Sequence, residues 1–426
     1  MHVFNRNLAG SCGDRSTGFY NALRRKYTWS IRPQCIPEGS APGGRWRGLV
    51  EADSFGAAAN WDHCFEGQCQ PMGDACTTGR VRAWFGADTL DPPICTPDNG
   101  YKGSQPPGGW SFCRPHVDKE EVVAQVYNVD AVAYESVLIG LFSIYSGVLK
   151  PPRGPSAMEW QGDEHNAIHV GYSRDGFYFH RPSPQQGAGP TPINHTEAEA
   201  ASQNKPTTAA AAAAAAAEWR TPFIDENERA DALAKEGEFT YGNVQSVGGG
   251  FLTVGDELRF FFSARSGTAD LNCTTGVAHL RRDGFAHLHV SNGNGGGGGS
   301  FRTRPLRYLP ENPPWDPAGL FVNVNTSAAG ASMTIKLLKD GDIVAHSVPI
   351  TGVNSTKQRV AWLDGDAMGA ISGGASFQLE VYLRGHAELY SFWVSSDACG
   401  TSGGPVAAGG PGFPMGRDQA ECASSI

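Results

Sequence analysis

Three stretches of this chain fall into one register: Asp14-Arg15-Ser16-Thr17, Tyr134-Glu135-Ser136-Val137 and Val244-Gln245-Ser246-Val247. Each opens a β-rich run, at 19–32, 137–145 and 250–265. Two of the three units close on the same turn, Ser173-Arg174-Asp175-Gly176-Phe177 and Arg281-Arg282-Asp283-Gly284-Phe285. A repeat of β units that cannot bury its faces alone must stack on its neighbours, and a radial array is the natural outcome. The register therefore predicts a β-propeller, with residues from successive units converging on a central pocket. That convergent set includes Asp14, Arg15, Glu135 and Gln245.

Composition agrees with many short strands. Gly 55 and Pro 28 together make up about a fifth of the 426 residues, above an average usage of roughly 12%. Turn formers at that level favour strands and loops over helices. Net charge is −9, which argues against nucleic acid as a partner, because phosphate contacts need basic patches. No apolar run reaches the roughly 18 residues of a membrane span. The chain reads as a monomer with no cofactor, and no phosphate loop appears in its sequence.

Ten cysteines raise the question of compartment, and seven of them lie from Cys12 to Cys113. A disulfide-stapled loop and a zinc site are the two readings. Zinc sites use close Cys-x-x-Cys pairs, which this spacing lacks, so disulfides are favoured. Four N-glycosylation sequons point to the same secretory route: Asn194-His195-Thr196, Asn272-Cys273-Thr274, Asn325-Thr326-Ser327 and Asn354-Ser355-Thr356. The first residues, Met1 to Arg6, lack the apolar core of a signal peptide. An N-terminus lying further upstream reconciles the two.

The chain divides on composition. Residues 1–292 read as the propeller, carrying a Cys-rich insert at 62–118 and a low-complexity insert at 183–218. The second insert ends in nine alanines, 209–217, shorter than the roughly 12 residues at which isolated helices become stable. A Gly-rich linker follows at 293–300. Residues 301–396 read as a β-sandwich, with strand-length runs at 320–325, 333–338, 358–363, 377–383 and 389–394 and a hairpin signal at Lys339-Asp340-Gly341-Asp342. Residues 397–426 read as a disordered tail.

Several segments resemble a group of proteins related to the propellers of glycoside hydrolase families 32 and 43. The residues that carry the likeness are Asp14 to Thr17 with Tyr20-Asn21, the run from Tyr127 to Ser136, Gly171 to Phe177 with His180-Arg181-Pro182, Gly242 to Ser246, and Leu389 to Val394. The resemblance implies an all-β chain, a five-bladed propeller followed by a C-terminal sandwich, with three blade-like units evident here. It also implies a glycosidase-like pocket carrying three acids, one from each of the first three blades. Glu135-Ser136 is similar to the third element, a glutamate followed by cysteine. Asp14 beside Arg15 is similar to the second, although that motif runs Arg-Asp-Pro. The first-blade aspartate has no counterpart, which implies an N-terminally truncated or degenerate propeller.

Glycoside hydrolysis needs two carboxyl groups, about 5–5.5 Å apart for retention and about 6.5–9.5 Å for inversion. One must hold its proton near neutral pH, which burial achieves. Glu135 is the expected acid/base, because it opens an apolar strand; the plainer role is an ion pair to Arg15 or Arg174. Asp14 is the expected partner or a turn cap, and Asp130 either tunes the acid or caps a turn. Asn243 and Gln245 are the expected contacts to sugar hydroxyls, or pair with backbone, and Arg15 and Arg265 bind hydroxyls or an acidic sugar, or hold the carboxylates ionised. The expected ligand is an oligo- or polysaccharide; the runner-up function is carbohydrate binding or scaffolding without turnover.

Overall fold

The computed structural model describes residues 15–31, 47–54, 82–86, 125–148, 163–181, 222–225, 242–265, 273–290, 297–309, 316–363, 365 and 367–406. Over these the chain is all-β, built from small antiparallel sheets with none closed on itself. The chain divides into two compact units, one holding residues 1–251, 260–278 and 407–415, the other 252–259, 279–406 and 416–426.

The first unit is a succession of meanders. Strands β1 (Thr17–Asn21), β2 (Lys26–Ile31), β3 (Arg47–Ala52) and β4 (Arg82–Phe85) form one sheet in chain order. Strands β5 (Gln125–Tyr134), β6 (Val137–Val148) and β7 (Asp163–Ser173) form the next, and β8 (Gly242–Val254), β9 (Glu257–Arg265) and β10 (Cys273–Arg281) a third, of which residues 252–259 and 279–281 fall in the second unit. The first hairpin of every sheet turns through a left-handed residue: Arg25 at φ 56°, Glu135 at 52° and Gly255 at 59°. Tight hairpins need positive φ because their twist must match that of the strands. These turns set the structural register, and it differs from the serine register. Ser136 lies in a turn, Ser16 precedes β1, and Ser246 sits inside β8.

Packing between these sheets is aromatic. Phe19, Leu49 and Trp84 of the first sheet share a core with Val126, Val129, Leu138, Phe142 and Phe179. Trp84 meets Phe179 edge-on at 5.9 Å, Phe179 meets Phe142 at 5.4 Å, and the Trp84 indole N–H donates to the Phe177 carbonyl at 2.9 Å. Such edge-to-face pairs are the favoured aromatic geometry. Gly176 is required at this seam: at φ 79°, a Cβ would stand 2.3 Å from the Asn21 amide nitrogen. That nitrogen instead donates to the Asp175 carbonyl at 2.8 Å. Tyr134 meets Phe251 at 5.2 Å, and Gly250, at φ 83°, lets its backbone close on Val132.

The second unit contains β11 (Leu288–His289), β12 (Gly298–Arg302), β13 (Leu306–Arg307), β14 (Gly319–Asn325), β15 (Ser332–Lys339), β16 (Asp342–His346), β17 (Asn354–Arg359), β18 (Ser376–Arg384) and β19 (Glu388–Ser395). They form two sheets, ordered β11-β19-β14-β17 and β12-β18-β15-β16, with β13 beside β18. One apolar core gathers Leu320, Val322 and Val324 of β14, Met333, Ile335 and Leu337 of β15, and Phe377, Leu379, Val381 and Leu383 of β18. Alternation by two puts those residues on one face of each strand. Asp340 and Gly341, at φ 55° and 95°, make the hairpin that their sequence predicts.

Three boundaries differ from the sequence reading. Gly298–Arg302 is a strand paired with β18, where a linker was expected across 293–300. The Arg281-Arg282-Asp283-Gly284 turn belongs to the second unit, because Arg281 Nε donates to Asn323 Oδ1 at 2.7 Å and Ser391 Oγ to Asp283 at 2.5 Å. Residues 397–406, read as part of a disordered tail, are ordered around Asp397, which accepts the backbone N–H groups of Cys399 at 2.9 Å and Thr401 at 3.0 Å.

Candidate functional site

Strand β5 is where the first unit concentrates its polar chemistry. Nearly all of its residues are buried on both faces, and they include Asn128 and Asp130. A strand spaces these two side chains onto one face, and the Asn128 amide donates to Asp130 Oδ2 at 2.8 Å. The same amide reaches Ser246 Oγ on β8 at 3.1 Å, and the Ser246 hydroxyl donates to Asp130 Oδ2. From the segment that leads into β1, Arg15 Nη2 donates to the Ser246 carbonyl, and from β1 Thr17 Oγ1 donates to the Val129 carbonyl at 2.8 Å. All three sheets of the unit therefore contribute to one cluster around Asp130.

Asp130 is 1% exposed. Burial pushes its carboxyl up from the ordinary aspartate value; the Ser246 and Thr17 hydroxyls and the Arg15 and Arg47 guanidiniums pull it down without cancelling that effect. Among the described residues, no carboxylate stands among the charges that bear on it. The Asn128 and Ser246 bonds both fall on Oδ2, and Oδ1 has no partner among the described residues. A carboxyl group of this kind has one oxygen held by donors and the other available to carry a proton. Arg15 is held at φ 60°, a conformation few non-glycine residues adopt and one found where surrounding structure over-determines the backbone.

The other expected residues are arranged differently. Glu135 occupies the β5–β6 hairpin turn and is half-exposed, not desolvated within a strand. Its left-handed backbone is the reason: the chain reverses there. From Asp130 to Glu135 along an extended strand is roughly 16 Å at about 3.3 Å per residue. Gln245 is buried on β8, where alternation turns it from the face that carries Ser246; its carbonyl accepts from Ser263 Oγ at 3.5 Å. Asp14 lies outside the described residues. Asn243 lies in β8 and Arg265 ends β9, with side chains outside the described set.

Sequence reasoning did not single out Asn128, Ser246 and Arg47, which the fold gathers around Asp130. A polar pair two residues apart within a run as apolar as β5 was the available signal for Asn128 and Asp130. Asp175 is a turn carboxylate: burial opposes its ionisation, but the N–H groups of Tyr178 and Phe177 and the Ser173 hydroxyl outweigh that and hold it below its usual value. Among the described residues there is no group of three metal-ligating side chains, and no helix long and apolar enough to cross a membrane.

No family model matches the chain, and no curated protein matches it. Among solved structures, it is similar to a GH32 beta-fructofuranosidase of Bombyx mori at 8% identity, over 89% of this chain and 91% of that one, with a TM-score of 0.22. A second match, described as a glycoside hydrolase, has 8% identity over 92% of this chain and 100% of the other, with a TM-score of 0.14. Both are weak structural neighbours.

Proposed function

We propose that this chain is a glycoside-hydrolase-like protein that acts on glycosidic bonds of an oligo- or polysaccharide, with Asp130 as its proton-holding carboxyl group. The observation that carries this reading is the convergence of three sheets on one buried carboxyl group whose Oδ1 has no partner among the described residues. An acid catalyst must stay protonated near neutral pH, and burial of Asp130 acts in that direction. In this reading the first unit is a five-bladed-type propeller, incomplete in its three evident sheets, and the second a β-sandwich. Two sheets around one apolar core support the latter. Asp14, the neighbour of Arg15, is the proposed second carboxylate, and Arg15 the contact that aligns the sugar. Gln245, Asn243 and Arg265 remain proposed sugar contacts. Glu135, by its distance along β5, is proposed outside the reacting pair.

The chain is proposed to be secreted and monomeric. Cys399 is disulfide-bonded, which supports an oxidising compartment.

A second reading is sugar binding without turnover. It is favoured because, among the described residues, no carboxylate stands among the charges acting on Asp130, and hydrolysis needs a pair within about 5–9.5 Å. One experiment separates the readings: binding and hydrolysis measured on a panel of glycans and aryl glycosides, for the wild type and Asp130→Asn. We expect wild-type turnover, with kcat falling about 10²–10⁴-fold in the variant while binding changes little. Binding without wild-type turnover selects the second reading. A wild type that neither binds nor cleaves any sugar sinks both.

A further inference from the structure

Two of the four sequons lie in the second unit, and the fold brings them together. Asn325 ends β14 and Asn354 begins β17, and the two residues are direct cross-strand partners. Opposed residues on antiparallel strands have Cα atoms roughly 4.5–5.5 Å apart, with side chains on one face. Two N-linked sugars at that spacing would compete for the same space on one face of the sheet. The pair can carry one.

The surroundings of the two amides differ. β14 lies between β19 and β17, and Asn325 faces Glu388 on its other side. Its amide nitrogen donates to Glu388 Oε2 at 3.1 Å, and its Oδ1 accepts from the Ser327 backbone N–H at 3.2 Å and the Ser327 hydroxyl at 2.7 Å. Thr326, the middle residue of that sequon, is fully buried. Both ends of the Asn325 side chain are thus engaged. Asn354 is exposed on β17, the edge of its sheet. Its Oδ1 accepts from Arg281 Nη1 at 2.5 Å, and that guanidinium is itself fixed by Asn323 Oδ1 at 2.7 Å and by the face of the Tyr390 ring, 4.8 Å from its centroid. With the carbonyl oxygen turned to Arg281, the amide nitrogen of Asn354 is the atom left for substitution.

We propose that Asn354 carries an N-linked glycan and that Asn325 does not. The modification is transfer from a polyprenol-pyrophosphate oligosaccharide. The Asn354 nitrogen bonds to the anomeric carbon, the carbon–oxygen bond to pyrophosphate breaks, and the amide loses one proton. The glycosyl amide keeps its carbonyl oxygen, so the Arg281 bond persists. On Asn325 the same group would displace Glu388 and press on Asn354, and the β14–β17 pairing could not close.

The test uses the full chain sent through a eukaryotic secretory pathway behind a cleavable leader, with site-resolved mass spectrometry of glycopeptides from secreted and retained material. We expect glycan on Asn354 and an unmodified Asn325. Asn354→Gln removes that glycan without transferring it to Asn325, and Asn325→Gln leaves occupancy of Asn354 unchanged. Glycan on Asn325, on both residues, or on neither overturns the proposal. Occupancy at Asn194 or Asn272 with Asn354 bare is equally decisive, because the transferase has then met the chain and passed the site over. The outcome is independent of whether the chain cleaves or binds sugars.

Discussion

Strands β5 and β18 treat their polar residues in opposite ways. In β18, Phe377, Leu379, Val381 and Leu383 face the core, while Ser376, Gln378, Glu380 and Tyr382 alternate with them on the other face. In β5 both faces are covered, so Asn128 and Asp130 have no outward direction and must find partners inside. The core around β18 is thus held by hydrocarbon, which needs only the right volume and pattern. The surroundings of β5 are held partly by charge and hydrogen bonds, which need particular partners and lose much when one is removed. Buried polar clusters of this kind are where a fold gives up stability that an apolar core would supply, and function is the usual reason.

The comparison can be broken most directly at Asp130. Asp130→Ala leaves the Asn128 and Ser246 donors without their acceptor and removes the group that faces the Arg15 and Arg47 charges, and should destabilise the first unit by about 3–5 kcal/mol. Hydrogen exchange should show lost protection in β1, β5 and β8; unchanged protection there would mean the cluster contributes nothing. Leu379→Ala creates a cavity in the second core and should cost about 2–5 kcal/mol. Its lost protection should fall in β14, β15 and β18. If that variant instead loosened β5, the division into two separately held cores would fail.

The smallest effect is on pH dependence, and the two units should differ in sign. Burial raises the folded pKa of Asp130. A raised group stabilises the fold fully below its unfolded value of about 3.9, and that contribution is lost as pH rises through the folded pKa. Relative to Asp130→Asn, the wild type should therefore lose stability as the medium goes from pH 3 towards neutral. Glu388 behaves oppositely: the Tyr390 hydroxyl, donating at 2.7 Å, and the Asn325 amide hold its pKa down despite some burial. Its contribution is present above about pH 4.3 and is lost as pH falls through the folded value. Urea midpoints against pH for Asp130→Asn and Glu388→Gln would settle both signs; slopes of the same sign would remove the contrast.

Much of the second unit was legible in the sequence. The runs at 320–325, 333–338, 377–383 and 389–394 coincide with β14, β15, β18 and β19, because each alternates against one apolar core. The run at 358–363 did not: β17 ends at Arg359, and its pairing with β14 shifts register between Val322 and Val324. A bulge of that kind depends on the partner strand and leaves little trace in local pattern. The candidate site was legible only in fragments. Asp130 and Arg15 were named, but the weight fell on Glu135, since a glutamate before an apolar run looks the same whether it begins a strand or reverses a hairpin.

By itself the sequence determined the local matters. It set the all-β character, the Asp340-Gly341 turn, and the strands whose two faces see different environments, because dihedral preference and alternation act between residues close along the chain. The tertiary structure alone decided which carboxyl group is buried and which is exposed. It also decided that Ser246 rather than Gln245 faces Asp130, and that two sequons far apart in the chain become opposed residues of one sheet. Those outcomes depend on which strands are neighbours and in what register they pair, and a one-residue slip in register turns every side chain to the opposite face.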